Sequence, residues 1–129
     1  INNKNVQFRV AKITPTKIGL FVVLWKRSKQ GPIRPYDTSD GIDMVIITVQ
    51  DGSRQGHFVF PQSILKEKNI FSTNGIGGKR GIRVYPYWCT PSSAQALKTQ
   101  KWQRKYFLEF SIDGDANIAQ AINLYTNTH

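Results

Sequence analysis

Cysteine occurs once, at Cys89, and histidine twice, at His57 and His129. A single thiol excludes an intrachain disulfide and makes a reducing compartment, the cytoplasm, the expected setting. One Cys and two His in unrelated places also fall short of a closed tetrahedral metal site. Covalent catalysis lacks its local signatures, since no serine stands in a Gly-x-Ser-x-Gly elbow and no motif surrounds Cys89. No apolar run approaches the roughly 18 residues of a membrane span. The longest, Ile18 to Trp25, is broken by Gly19 and bounded by Lys17 and Lys26, so no membrane-spanning segment is expected.

Carboxylates are the next scarcity. Eight Asp and Glu face eighteen Lys and Arg, for a formal net charge of +10. All eight acids lie between Asp37 and Glu67 or between Glu109 and Asp115, which leaves residues 1–36 and 68–108 free of carboxylates while they hold sixteen of the eighteen cations. Charge of this sign favours a negative partner: nucleic acid, an anionic surface or an acidic protein.

At 129 residues the chain is the size of one domain, and its 40% hydrophobic content is that of a folded protein rather than a basic tail. It opens at Ile1, not Met, and enters strand-like sequence almost at once, so a preceding portion is expected. The alternation of Val6, Phe8 and Val10 with Gln7, Arg9 and Ala11 predicts a strand, with Arg9 opposite Phe8. Thr14 and Pro15 read as a helix start, and Ile18, Phe21, Val22 and Trp25 recur at helical spacing, predicting an amphipathic helix up to Arg27. Residues 31–41 read as a loop. Met44 to Val49 is a strand buried on both faces, joined by a hairpin at Gln50 to Gln55 to a second strand, His57 to Phe60. A short helix over Gln62 to Lys68 follows, then a Gly-rich loop over Ser72 to Gly78 and a strand over Ile82 to Tyr87. Thr90 and Pro91 open a helix over Ser92 to Arg104, followed by a short strand over Leu108 to Ile112. Asp115 caps a last helix whose one face carries Ile118, Ala121, Ile122 and Tyr125. The order predicts an α+β fold, with α/β the close alternative: a single domain over residues 1–129, built on a mixed sheet with helices against it.

The constellation that stands out is Lys79, Arg80, Arg83, Tyr85, Tyr87 and Trp88 with Lys98, Lys101, Trp102, Arg104 and Lys105. Cations neutralise phosphates and aromatic rings stack on bases, so this mixture suits a nucleic acid, DNA or RNA. In a strand Arg83, Tyr85 and Tyr87 share one face. The two tyrosines equally serve as cross-strand packing partners and Trp102 as a core anchor. Glycines 75, 77, 78 and 81 around Lys79 resemble a phosphate loop, but Arg80 occupies the position where a Walker motif needs Ser or Thr. For a metal-dependent nuclease, Asp43 at the mouth of the central strand is the candidate for the first Mg²⁺ carboxylate. The neighbouring strand supplies neither the acid nor the lysine of that site, and Asp43 reads equally as a strand-end hydrogen-bonding residue.

Several blocks resemble the MepB family of small bacterial proteins: Phe8 to Ile18 (FRVAKITPTKI), Trp25 to Arg27 (WKR), His57 to Gln62 (HFVFPQ), Gly78 to Tyr85 (GKRGIRVY) and Thr99 to Phe107 (TQKWQRKYF). The resemblance covers nearly the whole chain in order. It implies members that begin further upstream and an association with nucleic acid. Gln100 to Tyr106 also resembles the helix glutamine and tyrosine of some restriction-type nucleases, without their acidic pair. The expected function is nucleic-acid binding through the phosphate backbone, with no cofactor and with the protein partner unknown. The alternatives are a divergent restriction-endonuclease-like enzyme using Mg²⁺ at Asp43, and a binder of a phosphate-containing ligand or an acidic protein.

Overall fold

The structure, a computed structural model, describes residues 4–27 and 31–109. The predicted final helix, with Ile118, Ala121, Ile122 and Tyr125, lies outside the described residues, as does most of the strand predicted up to Ile112. The elements run β1 (Val6–Val10), β2 (Lys12–Ile13), β3 (Leu20–Val23), β4 (Trp25–Arg27), β5 (Ile33–Pro35), a 3-10 turn (Thr38–Asp40), β6 (Met44–Asp51), β7 (Arg54–Pro61), α1 (Gln62–Glu67), β8 (Gly81–Val84), α2 (Ala94–Gln103), a second 3-10 turn (Arg104–Tyr106) and β9 (Phe107–Glu109). The α+β class holds, with strands in the majority. No helix among the described residues is long and apolar enough to cross a membrane.

The first sheet has the order β1-β6-β7-β9, with β1 parallel to β6 and the other pairs antiparallel. The continuous apolar run of β6 is explained by its central place, since Val45 and Ile47 enter the main core while Met44 and Ile46 pack on the opposite face with Val59. The predicted hairpin between β6 and β7 forms, with Val45 opposite Phe60 and Ile47 opposite Phe58, and pairing continues to Asp51 opposite Arg54, so the turn is tighter than the connection expected over Gln50 to Gln55. In β1 the predicted alternation is present, but it points the other way from a simple core strand. Phe8 and Val10 are 52% and 67% exposed, while Arg9, on the opposite face, hydrogen-bonds the Tyr36 hydroxyl and lies over its ring.

The second sheet, β2-β3-β8, corrects the helix predicted over Thr14 to Arg27. Leu20, Val22 and Leu24 are buried while Phe21 and Val23 are exposed, the period of a strand. The same apolar block contains both the helical spacing of Ile18, Phe21, Val22 and Trp25 and this alternation. Pairing with β8 and the positive φ of 89° at Gly19 decide between them, because tertiary pairing outweighs a local preference for helix. The chain then forms β4 and pairs it with β5, so the expected loop over 31–41 contains a strand and a capped 3-10 turn. The cap signal at Thr90 and Pro91 is also displaced, since the helix N-cap is Ser93, whose Oγ accepts from the Ala96 N–H.

The main core lies between the two sheets and α1, with Phe58, Phe60, Phe71, Leu24 and Leu65 fully enclosed. Two buried glutamines fasten α2 to the chain beside it. Gln100 Nε2 donates to the carbonyls of Pro86 and Cys89, and Gln103 bonds the backbone at Arg83 and Tyr85.

Candidate functional site

β3 and β8 run antiparallel with Phe21 opposite Arg83, Val22 opposite Ile82 and Val23 opposite Gly81. Val22 and Ile82 point into the core, so Phe21 and Arg83 share the outer face of the sheet. Lys12 of β2 stands opposite Phe21 on its other side, which gives a row of cation, ring and cation across the three strands. α2 packs beside β8, and between them opens a cleft of about 560 Å³. Lys17, Lys68, Lys79 and Arg83 line it together with Phe21, Tyr85 and Trp102, and no carboxylate is among its lining residues.

Its geometry follows from close backbone approaches. The Phe21 ring lies directly on Gly81, where an added Cβ would stand 2.5 Å from Cζ, and the Tyr85 ring lies on Gly19, where a Cβ would stand 2.7 Å from Cε1. Only glycine admits both rings at these positions. The Arg83 guanidinium is held by Thr14 Oγ1 at 2.9 Å and sits over the Phe21 ring at 5.8 Å. On the opposite wall Lys68 lies over Trp102 at 5.6 Å, and Trp102 leans on Phe60 of the core. The sequence alternative of Trp102 as a core anchor is therefore met, with part of the ring left for the cleft.

Lys79 is placed by the loop before it. The Lys79 N–H donates to the Ile70 carbonyl, and the preceding turn is tied down by Asp37, only 8% exposed. The Asp37 carboxylate accepts from the Ser39 hydroxyl and N–H, the Ser72 hydroxyl and the Gly75 N–H. These bonds, the Ser39 hydroxyl first and then the Gly75 N–H, hold its carboxyl well below the usual carboxylate range. Beside it Lys26 pairs with Asp40. Asp37 is thus used in holding the loop, and Asp40 in pairing with Lys26.

The structure divides the predicted constellation. Lys79, Arg83, Tyr85 and Trp102 meet in the cleft. Arg80 is exposed and contributes its carbonyl to Leu24, outside the cleft lining. The single face expected for Arg83, Tyr85 and Tyr87 ends at Tyr85, because the chain turns at Pro86, whose carbonyl accepts from the Cys89 N–H. Tyr87 is carried to β9, where its hydroxyl donates to Glu109 and accepts from Arg54 at 3.0 Å. Its phenol pKa is raised, chiefly by the Glu109 bond. Trp88 packs edge-on to Phe107. Both residues belong to an aromatic cluster around Arg54.

On α2, at about 100° per residue, Thr99 faces the cleft while Lys98 lies about 100° and Lys101 about 160° away. Lys98, Lys101, Arg104 and Lys105 are exposed outside the cleft lining, Lys98 nearest its rim. Sequence reasoning missed Lys17, Phe21 and Lys68. The signal was the charge segregation itself, since Lys17 and Phe21 come from the first acid-free segment and the other cleft cations and rings from the second.

Asp43 sits elsewhere. Its carboxylate accepts from the Asn5 N–H at 2.9 Å, and its backbone bonds Asn5 and Gln62, the strand-end role. No group of three or more His, Cys, Asp or Glu able to hold a metal occurs among the described residues. Burial pushes the Cys89 thiol pKa up, away from a reactive thiolate.

The sequence model of the MepB-like family matches residues 1–109. The chain is also similar to the protein in a crystal structure of MepB, with 40% identity and a TM-score of 0.82 over 86% of this chain and 74% of that one. No curated protein matches.

Proposed function

The chain belongs to the MepB-like family, and on that premise we propose that it binds nucleic acid through the cleft between β8 and α2. The observation that carries this reading is a cleft with four cations, three aromatic rings and no carboxylate. Four positive side chains in one concave surface attract a phosphate backbone and release its counterions. Rings among them give the flat bases a surface to meet, which an acidic peptide would leave unused. Lys12 beside Phe21 and Lys98 at the rim extend the positive surface beyond the cleft. The cytoplasm is the compartment in which such a partner is met.

Salt titration of oligonucleotide binding tests the proposal. Neutralising four phosphates predicts a slope of about −3 to −4 in log K against log salt, with affinity falling steeply between roughly 50 and 200 mM. Absence of binding at the lowest salt would remove nucleic acid as the partner.

A further inference from the structure

We infer that residues 110–129 dock on the second face of the first sheet, the face turned away from the main core, and close it with the apolar stripe Ile118, Ala121, Ile122 and Tyr125. Strand register defines that face. Phe8, Ile46 and Val59 stand side by side across β1, β6 and β7, and Val10 stands beside Thr48, so their side chains share one side of the sheet. Met44, Ile46 and Val59 are 3%, 0% and 0% exposed. The described apolar side chains packed against these three are Val6 and Leu108, which belong to β1 and β9 of the same sheet. Neighbours within a sheet flank a side chain but do not roof it, so enclosure this complete requires a second layer. The apolar residues of α1, β3 and β8 go to the main core on the other side.

Place, length and pattern select the occupant. The chain leaves β9 at Glu109, one residue beyond Leu108 and at the edge of this same sheet. Twenty residues follow, 110–129, and the family match ends before them, at residue 109. Asp113, Gly114 and Asp115 supply a reversal and an N-cap. A helix of about twelve residues from there is roughly 18 Å long, enough to cross a four-stranded sheet whose strands lie about 4.8 Å apart. Ile118, Ala121, Ile122 and Tyr125 recur at the spacing of one helix face, and Gln120 and Asn123 fall on the opposite side. The segment contains no Lys or Arg in a chain of net charge +10, so it brings no cation onto an apolar surface. Phe8 and Val10, 52% and 67% exposed, mark the β1 margin of the covered area, which places the occupant over β6 and β7.

A nitroxide spin label on the full chain tests the docking. Cys89→Ala removes the native thiol, and Val10→Cys, exposed on the rim of the face, supplies the point of attachment. The expected result is broadening of the Ile118 and Ile122 methyl NMR signals in the spin-labelled chain. The same broadening should be absent when a spin-labelled, isotopically silent chain is mixed with an isotope-labelled chain that carries no spin. Broadening in that mixture would make a second copy the occupant and overturn the proposal, and no broadening in either sample would overturn docking altogether. In a second measurement, Ile122→Asp should lower the thermal midpoint by about 4 °C or more and raise the binding of a hydrophobic dye. Asn123→Asp, which adds the same charge on the opposite side, should do neither. Equal behaviour of these two variants would show that the stripe is not the contact. If Ile122→Asp does not fold, the spin-label measurement decides, because it alters no residue of the docking segment.

Discussion

Gln103 takes the place of a neighbouring strand for Tyr85: its Oε1 accepts from the Tyr85 N–H at 2.9 Å, while its Nε2 donates to the Arg83 carbonyl at 2.9 Å. The edge of β8 away from β3 is thereby satisfied by a helix side chain. The same two bonds fix the distance between the walls of the cleft, because β8 carries Arg83 and α2 carries Thr99 and Trp102. The fully buried glutamine is thus a positioning residue for the site.

Replacing Gln103 by Leu leaves the Tyr85 N–H and the Arg83 carbonyl buried without partners. An unsatisfied buried polar group costs on the order of 1–3 kcal/mol, so a loss of about 2–4 kcal/mol is expected in urea denaturation. Gln103→Glu should be no milder, since a carboxylate presents an acceptor to the Arg83 carbonyl where the amide presented a donor. Faster hydrogen exchange at the Tyr85 amide would localise the defect. A variant as stable as the parent would show that α2 is held by other contacts.

Asp37 predicts an acid sensitivity. Its folded-state pKa is depressed by the hydrogen bonds from Ser39, Gly75 and Ser72, so its contribution is fully present above the unfolded value near 3.9 and is lost as the pH falls toward the lowered one. Stability measured against pH should therefore decline below about pH 4, with the turn before Lys79 loosening first. In Asp37→Asn this component of the decline should vanish, and the variant should be less stable than the parent at neutral pH. A parallel pH profile in the two proteins would show that the carboxylate is not what holds the loop.

The cleft cations should separate from the helix cations. Lys17→Ala, Lys68→Ala and Lys79→Ala are each expected to weaken binding about equally for unrelated sequences and to lower the salt slope by roughly one unit per lost phosphate contact. Lys101→Ala, on the far side of α2, should change the slope less. All four are surface changes, so thermal midpoints should stay near the parent value. The reverse order, with Lys101 dominant, would move the interface to the solvent face of the helix.

Much of the architecture was legible locally. The β6 to β7 hairpin is announced by a continuous apolar run, a turn sequence and a second apolar run, all close in the chain. The short helix after Pro61 and the helix ending at Gln103 are readable for the same reason. The block from Ile18 to Trp25 was not, because its residues satisfy a period of 3.6 and a period of 2 together. Nothing within the block chooses between them; Val22 opposite Ile82 does, and Ile82 lies far along the chain.

The sequence by itself determined that the carboxylates are gathered into two stretches and that the cations and many of the aromatic rings lie in the others. Charge and ring content belong to each residue and survive any fold. Which cations meet was decided by the tertiary structure. Pairing of β3 with β8 brings the two acid-free segments together, so Lys17 and Phe21 join Lys79, Arg83 and Tyr85, while the turn at Pro86 carries Tyr87 and Trp88 away to Glu109 and Phe107. Spacing along a strand predicts a shared face only for as long as the strand continues, and here it ends at Val84, so Tyr85 just beyond it still meets Arg83 in the cleft while Tyr87 does not.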